Sequence, residues 1–113
     1  MDTADRERRL KKIYLDALPG RLDELRQMMD SVFNGDQSEE ALYKLYRLAH
    51  NLAGSSATYG FDEIGDKADE MEDWLEGFVA EKNMPVPDDK KQFICFLDDL
   101  SRMSEQAQTL HLG

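Results

Sequence analysis

The sequence predicts an all-α fold, an antiparallel up-down-up-down four-helix bundle with an additional short N-terminal helix. Three features lead to it. Apolar residues recur every three or four positions along most of the chain, the spacing of one buried helix face. Glycine and proline stand at the joints between these stretches or singly inside them, and the joints are short, which sets neighbouring helices antiparallel. No stretch carries the two-residue alternation of a half-buried strand. The 113 residues are read as a single domain, 1–113, with an N-terminal helix over about 3–17 and the bundle over about 19–111.

Each element follows from its own pattern. Leu10, Ile13, Tyr14 and Leu18 share one face of the N-terminal helix. Pro19-Gly20 is expected to end it, because proline disfavours helical backbone in the residue before it and suits the first turn of a new helix. The next helix turns Leu22, Leu25, Met28, Met29, Val32 and Phe33 inward and stops at Asn34-Gly35. Asp36 or Ser38 caps the helix after it, with Glu39 and Glu40 in the first turn where the helix dipole favours them. That helix buries Leu42, Leu45, Ala49, Leu52, Ser56 and Tyr59 and stops at Gly60.

The following helix opens at Phe61 or Asp62 and buries Phe61, Ile64, Ala68, Met71, Leu75 and Phe78. Its other face is acidic: Asp62, Glu63, Asp66, Asp69, Glu70, Glu72, Asp73 and Glu76 against Lys67 alone. Trp74 lies off the stripe, read as a cap on the bundle edge rather than an anchor for a partner. Asn83-Met84-Pro85-Val86-Pro87 is the clearest loop. Asp88 and Asp89 begin the last helix, whose core face is Phe93, Leu97, Leu100, Met103, Ala107 and Leu110.

Composition removes several function classes. A formal net charge of -10 argues against nucleic acid as a partner, since such a surface must be basic. The one basic cluster, Arg6, Arg8, Arg9, Lys11 and Lys12 interrupted by Glu7, reads as a solvated helix face rather than a contact for an anionic partner. No apolar run approaches the length of a membrane span, and no apolar leader segment follows the start, so a cytoplasmic protein is expected. Cys95 has no cysteine to pair with and sits in an apolar run, where a buried thiol is expected.

One helix stands out chemically. At about 100° per residue, His50 lies roughly 100° beyond the centre of the Leu42–Tyr59 stripe and points to water. Its neighbours three, four and seven positions on are Ala53, Gly54 and Ala57. Glycine costs about 1 kcal/mol against alanine inside a helix, so Gly54 exchanges stability for open space. Tyr43, Tyr46 and Arg47 frame the other side; Tyr43 and Tyr46 suit a docking surface and a plain bundle surface equally. Between Ala41 and Tyr59 the charges are Lys44 and Arg47, with no acid, so an anionic partner is favoured here and disfavoured elsewhere. No second His or Cys lies one turn from His50, so no metal site is expected. Ser55 and Ser56 lack the partners of a nucleophilic serine and are read as small packing residues. His111, at the chain end, is expected to carry nothing.

The run His50-x-Leu52-x-Gly54-Ser55-Ser56, with Gly60-Phe61 after it, resembles the signature of the histidine-containing phosphotransfer (HPt) domains of bacterial phosphorelays. The similarity continues through Ile64, Ala68, Met71 and Glu72 and spans the chain's length. Ala53 stands where many HPt domains carry lysine.

The resemblance implies the same bundle fold and a definite role. His50 would accept a phosphoryl group at Nε2 from a phospho-aspartate of a receiver domain and pass it to another response regulator. Partners would be receiver domains of response regulators or of hybrid histidine kinases, docking over Tyr43, Lys44, Tyr46, Arg47, Ala53, Gly54 and Ala57. Lys44 and Arg47 would offset the incoming charge. No cofactor is implied for this chain, because the Mg²⁺ belongs to the receiver. The chain would be a monomeric phosphocarrier without kinase activity. The alternative is a helical interaction module that binds and regulates a kinase or receiver without being phosphorylated. An enzyme using His50 as a general base lacks a cleft and a second catalytic group.

Overall fold

Four helices make up the chain: α1 (Thr3–Asn34), α2 (Glu39–Thr58), α3 (Asp62–Glu81) and α4 (Asp89–Leu112). They come from a computed structural model that describes residues 3–35 and 38–112, with side chains as far as residue 110. No strand occurs among the described residues. Asp36 and the side chain of His111 lie outside them. α1 packs on α2 and α4, and α3 packs on the same two helices, so four apolar stripes close around one core. Leu18, Leu45, Ala49, Ala68, Met71, Phe93, Leu97 and Leu100 are completely buried there.

The expected break at Pro19-Gly20 does not occur. The short N-terminal helix and the one after it are a single 32-residue helix with Pro19 inside. Proline removes the N–H that would bond to the carbonyl four residues back, here Leu15. The structure supplies another donor: Gln108 Nε2, from α4, gives a hydrogen bond to the Leu15 carbonyl oxygen at 3.1 Å. With Leu15 and Leu18 buried on one side and Pro19 exposed on the other, helix packing outweighs the local signal.

Helix lengths explain two further differences. At 1.5 Å per residue, α1 is about 48 Å long and α2 and α3 about 30 Å, against a long dimension of 50 Å for the molecule. The end of the Lys11 side chain reaches Gly60, at the α2–α3 turn, so residues 3–10 run past that turn and are exposed. Leu10, expected inward, is 39% exposed for this reason; Ile13, also expected inward, is 59% exposed because Tyr14, Leu15 and Leu18 take the core positions of its turns. At the far end of α4, Leu110 is likewise exposed, although Phe93, Leu97 and Leu100 are buried as expected. Cys95 is exposed rather than buried: Phe93, Phe96 and Leu97 take the core positions of that turn. Trp74 is half-buried against Phe78, Phe93 and Phe96, an edge cap of the core.

α2 and α3 form as their ends dictate. Ser38 caps α2, its Oγ accepting from the Ala41 N–H at 3.1 Å, and Glu39 and Glu40 occupy the first turn. Gly60 ends it with φ +85°, the left-handed backbone that glycine adopts without strain. Phe61 then caps α3 and is itself buried, stacked on Tyr14 at 5.7 Å. The two helices approach closely at Gly65. A Cβ on Gly65 would stand 3.3 Å from the Ala53 carbonyl oxygen, so glycine at this position sets the helix separation.

Candidate functional site

The buried side of α2 is Ala41, Leu42, Leu45, Ala49, Leu52 and Ser56, which leaves the imidazole of His50 62% exposed on the outer flank. Tyr59, placed by its spacing on the inward stripe, is only half-buried. The imidazole is not bare. From α3, Glu72 brings Oε1 to 2.5 Å from His50 Nδ1. A carboxylate only accepts, so Nδ1 carries the hydrogen, and in the uncharged ring the lone pair then belongs to Nε2, on the far side. The Glu72 side chain is 12% exposed.

By its spacing Glu72 reads as one of the solvent-facing acids of α3, and the structure corrects this. It lies four residues after Ala68 and three before Leu75, both buried, so it stands at an inward position of its helix. An acid at an inward position, facing the outer flank of the neighbouring helix, was the signal for a partner.

Beside His50 runs an open groove of about 300 Å³ between α2 and α3, lined by Ala53, Gly54, Ala57, Gly65, Asp66, Asp69 and Glu72. The floor of small residues is as the spacing of α2 implies. A Cβ on Gly54 would meet nothing within 4 Å, so the packing of the bundle does not require glycine there. The expectation of an acid-free surface is corrected, because α3 lines the groove with Asp66, Asp69 and Glu72. Among the described residues no group of three or more His, Cys, Asp or Glu side chains is arranged to hold a metal ion.

Toward the start of α2, the Tyr46 ring lies 6.4 Å from the imidazole at an interplanar angle of 27°, and Tyr43 lies 6.0 Å from Tyr46. Tyr46 is half-buried and Tyr43 exposed. Burial, followed by the charges of Glu76 and Glu72, holds the Tyr46 phenol above its ordinary pKa of 10.0, so it stays neutral at physiological pH. Lys44 and Arg47 are set apart from the His50 groove. With Tyr43, Met28 and Leu48 they line a larger groove of about 700 Å³ between α1 and α2, and Lys44 pairs with Glu40 at 3.5 Å.

Ser55 and Ser56 hold the far end of α2 to α1. The Tyr14 hydroxyl lies 2.5 Å from Ser56 Oγ and 3.0 Å from Ser55 Oγ, and Arg21 donates to Ser55 Oγ at 2.9 Å. Ser56 is fully buried, so this bonding satisfies a hydroxyl that would otherwise cost about 1–3 kcal/mol.

The site is therefore one exposed imidazole whose inner nitrogen is tied to Glu72 and whose outer nitrogen lies on the opposite side of the ring. A protein-family model described as Hpt domain matches residues 9–110 of the chain. Comparison with curated proteins and with solved structures gives no match.

Proposed function

Because the chain belongs to the Hpt domain family, whose members take part in histidine phosphotransfer with receiver domains, we propose that it is a phosphorelay intermediate carrying the phosphoryl group on His50. The observation that supports this most is the Nδ1–Glu72 contact on an imidazole open to a partner. In the transfer, the Nε2 lone pair attacks the phosphorus of a receiver's phospho-aspartate. The N–P bond forms, the P–O bond breaks, and its electron pair returns to the aspartate carboxylate. The ring gains positive charge, which the Glu72 carboxylate stabilises through the Nδ1–H it accepts. The reverse attack by the aspartate of a second receiver discharges the ring.

Catalysis in such a transfer is chiefly positioning and charge stabilisation. The receiver seats on the floor formed by Ala53, Gly54 and Ala57, with Tyr43, Lys44, Tyr46 and Arg47 beyond the histidine. Mg²⁺ belongs to the receiver, and this chain acts as a phosphocarrier with no kinase activity of its own. The helices alternate in direction, as the short connections favour, and the protein works as a cytoplasmic monomer. No helix among the described residues is long and apolar enough to cross a membrane.

The test is phosphoryl transfer from labelled receiver domains of the same cell to wild type and His50→Gln. The expected result is label on wild type alone, labile in acid and stable in base. Binding of receivers without label on either protein would favour the non-phosphorylated interaction module instead.

A further inference from the structure

The imidazole turns about its Cβ–Cγ bond, and the hydrogen bond from Nδ1 to Glu72 resists that turn from one edge of the ring only. Whenever this single bond stretches or opens, the turn carries the Nε2 lone pair out of line with an incoming phosphorus. On a side chain 62% exposed, solvent does nothing to prevent it. Reactivity at Nε2 thus calls for a second restraint, acting on the face of the ring.

Helical side chains lean toward the N-terminus of their helix, so the side chain of His50 lies over the turn that holds the residue four positions earlier. That residue is Tyr46. Its ring is 27° from parallel to the imidazole at a centroid distance of 6.4 Å, inside the range where aromatic pairs attract. Tyr46 is itself held, half-buried against the core and flanked by the ring of Tyr43 at 6.0 Å. We infer that Tyr46 is a positioning residue for His50: Glu72 fixes the inner nitrogen, and the Tyr46 ring fixes the plane in which the outer one is presented.

The contact has a second consequence. Phosphorylation turns the imidazole cationic, and a neutral aromatic face next to a cation is attractive. Tyr46 therefore supports the charged ring more than the uncharged one. It does so through its ring and not through its hydroxyl.

The inference rests on His50 being the phosphoryl acceptor, and the test separates the two. Wild type, Tyr46→Phe and Tyr46→Leu are each treated with potassium phosphoramidate, which transfers its phosphoryl group to histidine with release of ammonia and needs no receiver. Phosphate at His50 is followed by mass spectrometry. The same proteins are titrated with a phosphorylated receiver to split kcat from KM. Imidazole ¹⁵N spectra report the share of ring with the hydrogen on Nδ1.

Tyr46→Leu is expected to react about three- to tenfold more slowly with phosphoramidate, as loss of an aromatic pair implies. With the receiver the loss should fall on kcat, and the ¹⁵N pattern should shift toward that of a free imidazole. Tyr46→Phe should recover the rate that Tyr46→Leu loses. Unchanged rates and spectra in Tyr46→Leu would overturn the inference. So would a loss confined to KM, which marks a docking contact, or a Phe variant as slow as the Leu variant. Should Tyr46→Leu fail to fold, the nuclear Overhauser contact between the two rings in wild type decides, and its absence overturns the inference. If no receiver labels wild type while phosphoramidate ranks the variants as expected, the phosphorelay reading fails and the positioning role stands.

Discussion

Glu72→Ala removes the carboxylate that accepts from His50 Nδ1 while leaving the rest of the groove in place. A hydrogen bond with one charged partner contributes about 1.5–3 kcal/mol. The histidine side of this pair is largely exposed, so solvent screening places the effect at the lower end, about 1.5 kcal/mol. Expressed wholly in the transition state, that is a loss of about tenfold in kcat. Glu72→Gln keeps an oxygen that accepts from Nδ1 but loses the charge that steadies the phosphorylated ring. It should be about three- to fivefold slower, the difference between a charged and a neutral bond. The fold should be unaffected by either change, because the partner is at the surface and alanine suits a helix. The assay is rapid-quench transfer from a labelled receiver at saturating concentration, with circular dichroism to check folding. A Glu72→Ala variant that transfers at the wild-type rate would refute the assignment of tautomer and role to this contact.

Two glycines on the same groove should respond in opposite ways. Gly65→Ala forces a Cβ against the Ala53 backbone at 3.3 Å and should lower stability by about 1 kcal/mol net of its gain in helix propensity, seen as an earlier thermal midpoint. Gly54→Gln enters open space and should raise the midpoint while slowing receiver-dependent transfer, because the added chain fills the docking floor. Gln108→Ala should cost about 1 kcal/mol in urea unfolding, since it strands the Leu15 carbonyl. The same change in a Pro19→Ala background should cost almost nothing, because the backbone N–H returns, and a double-mutant cycle measures that coupling.

Where each helical turn carries its own apolar residue, the elements were legible: α2, α3 and most of α4 follow directly from their spacing. The exposed histidine on a floor of small residues was legible for the same reason, since helical geometry fixes which side chains share a flank. What was not legible depends on residues far apart in the chain. Pro19 reads as a break until Gln108, on α4, is brought to the Leu15 carbonyl. Leu10 reads as core until the lengths of α2 and α3 show that residues 3–10 run past their turn, and Ile13 until Tyr14, Leu15 and Leu18 take the inward positions of its helix. Glu72 reads as one more acid on an acidic helix, because its role comes from the helix it faces. The surface around His50 reads as free of acids for that reason too: α2 carries none there, while Asp66, Asp69 and Glu72 arrive from α3. Tyr46, equally suited to a docking surface and a bundle surface by its pattern, is half-buried against the core with its ring 6.4 Å from that of His50.

The most direct measurement is ³¹P and ¹⁵N spectroscopy of ¹⁵N-histidine-labelled protein after phosphorylation by a receiver. One phosphate on His50, coupled to Nε2 with the hydrogen still on Nδ1, is the expected result. Phosphate on Nδ1, on Ser55 or on His111 would contradict the tautomer that Glu72 imposes and, with it, the chemistry assigned to this site.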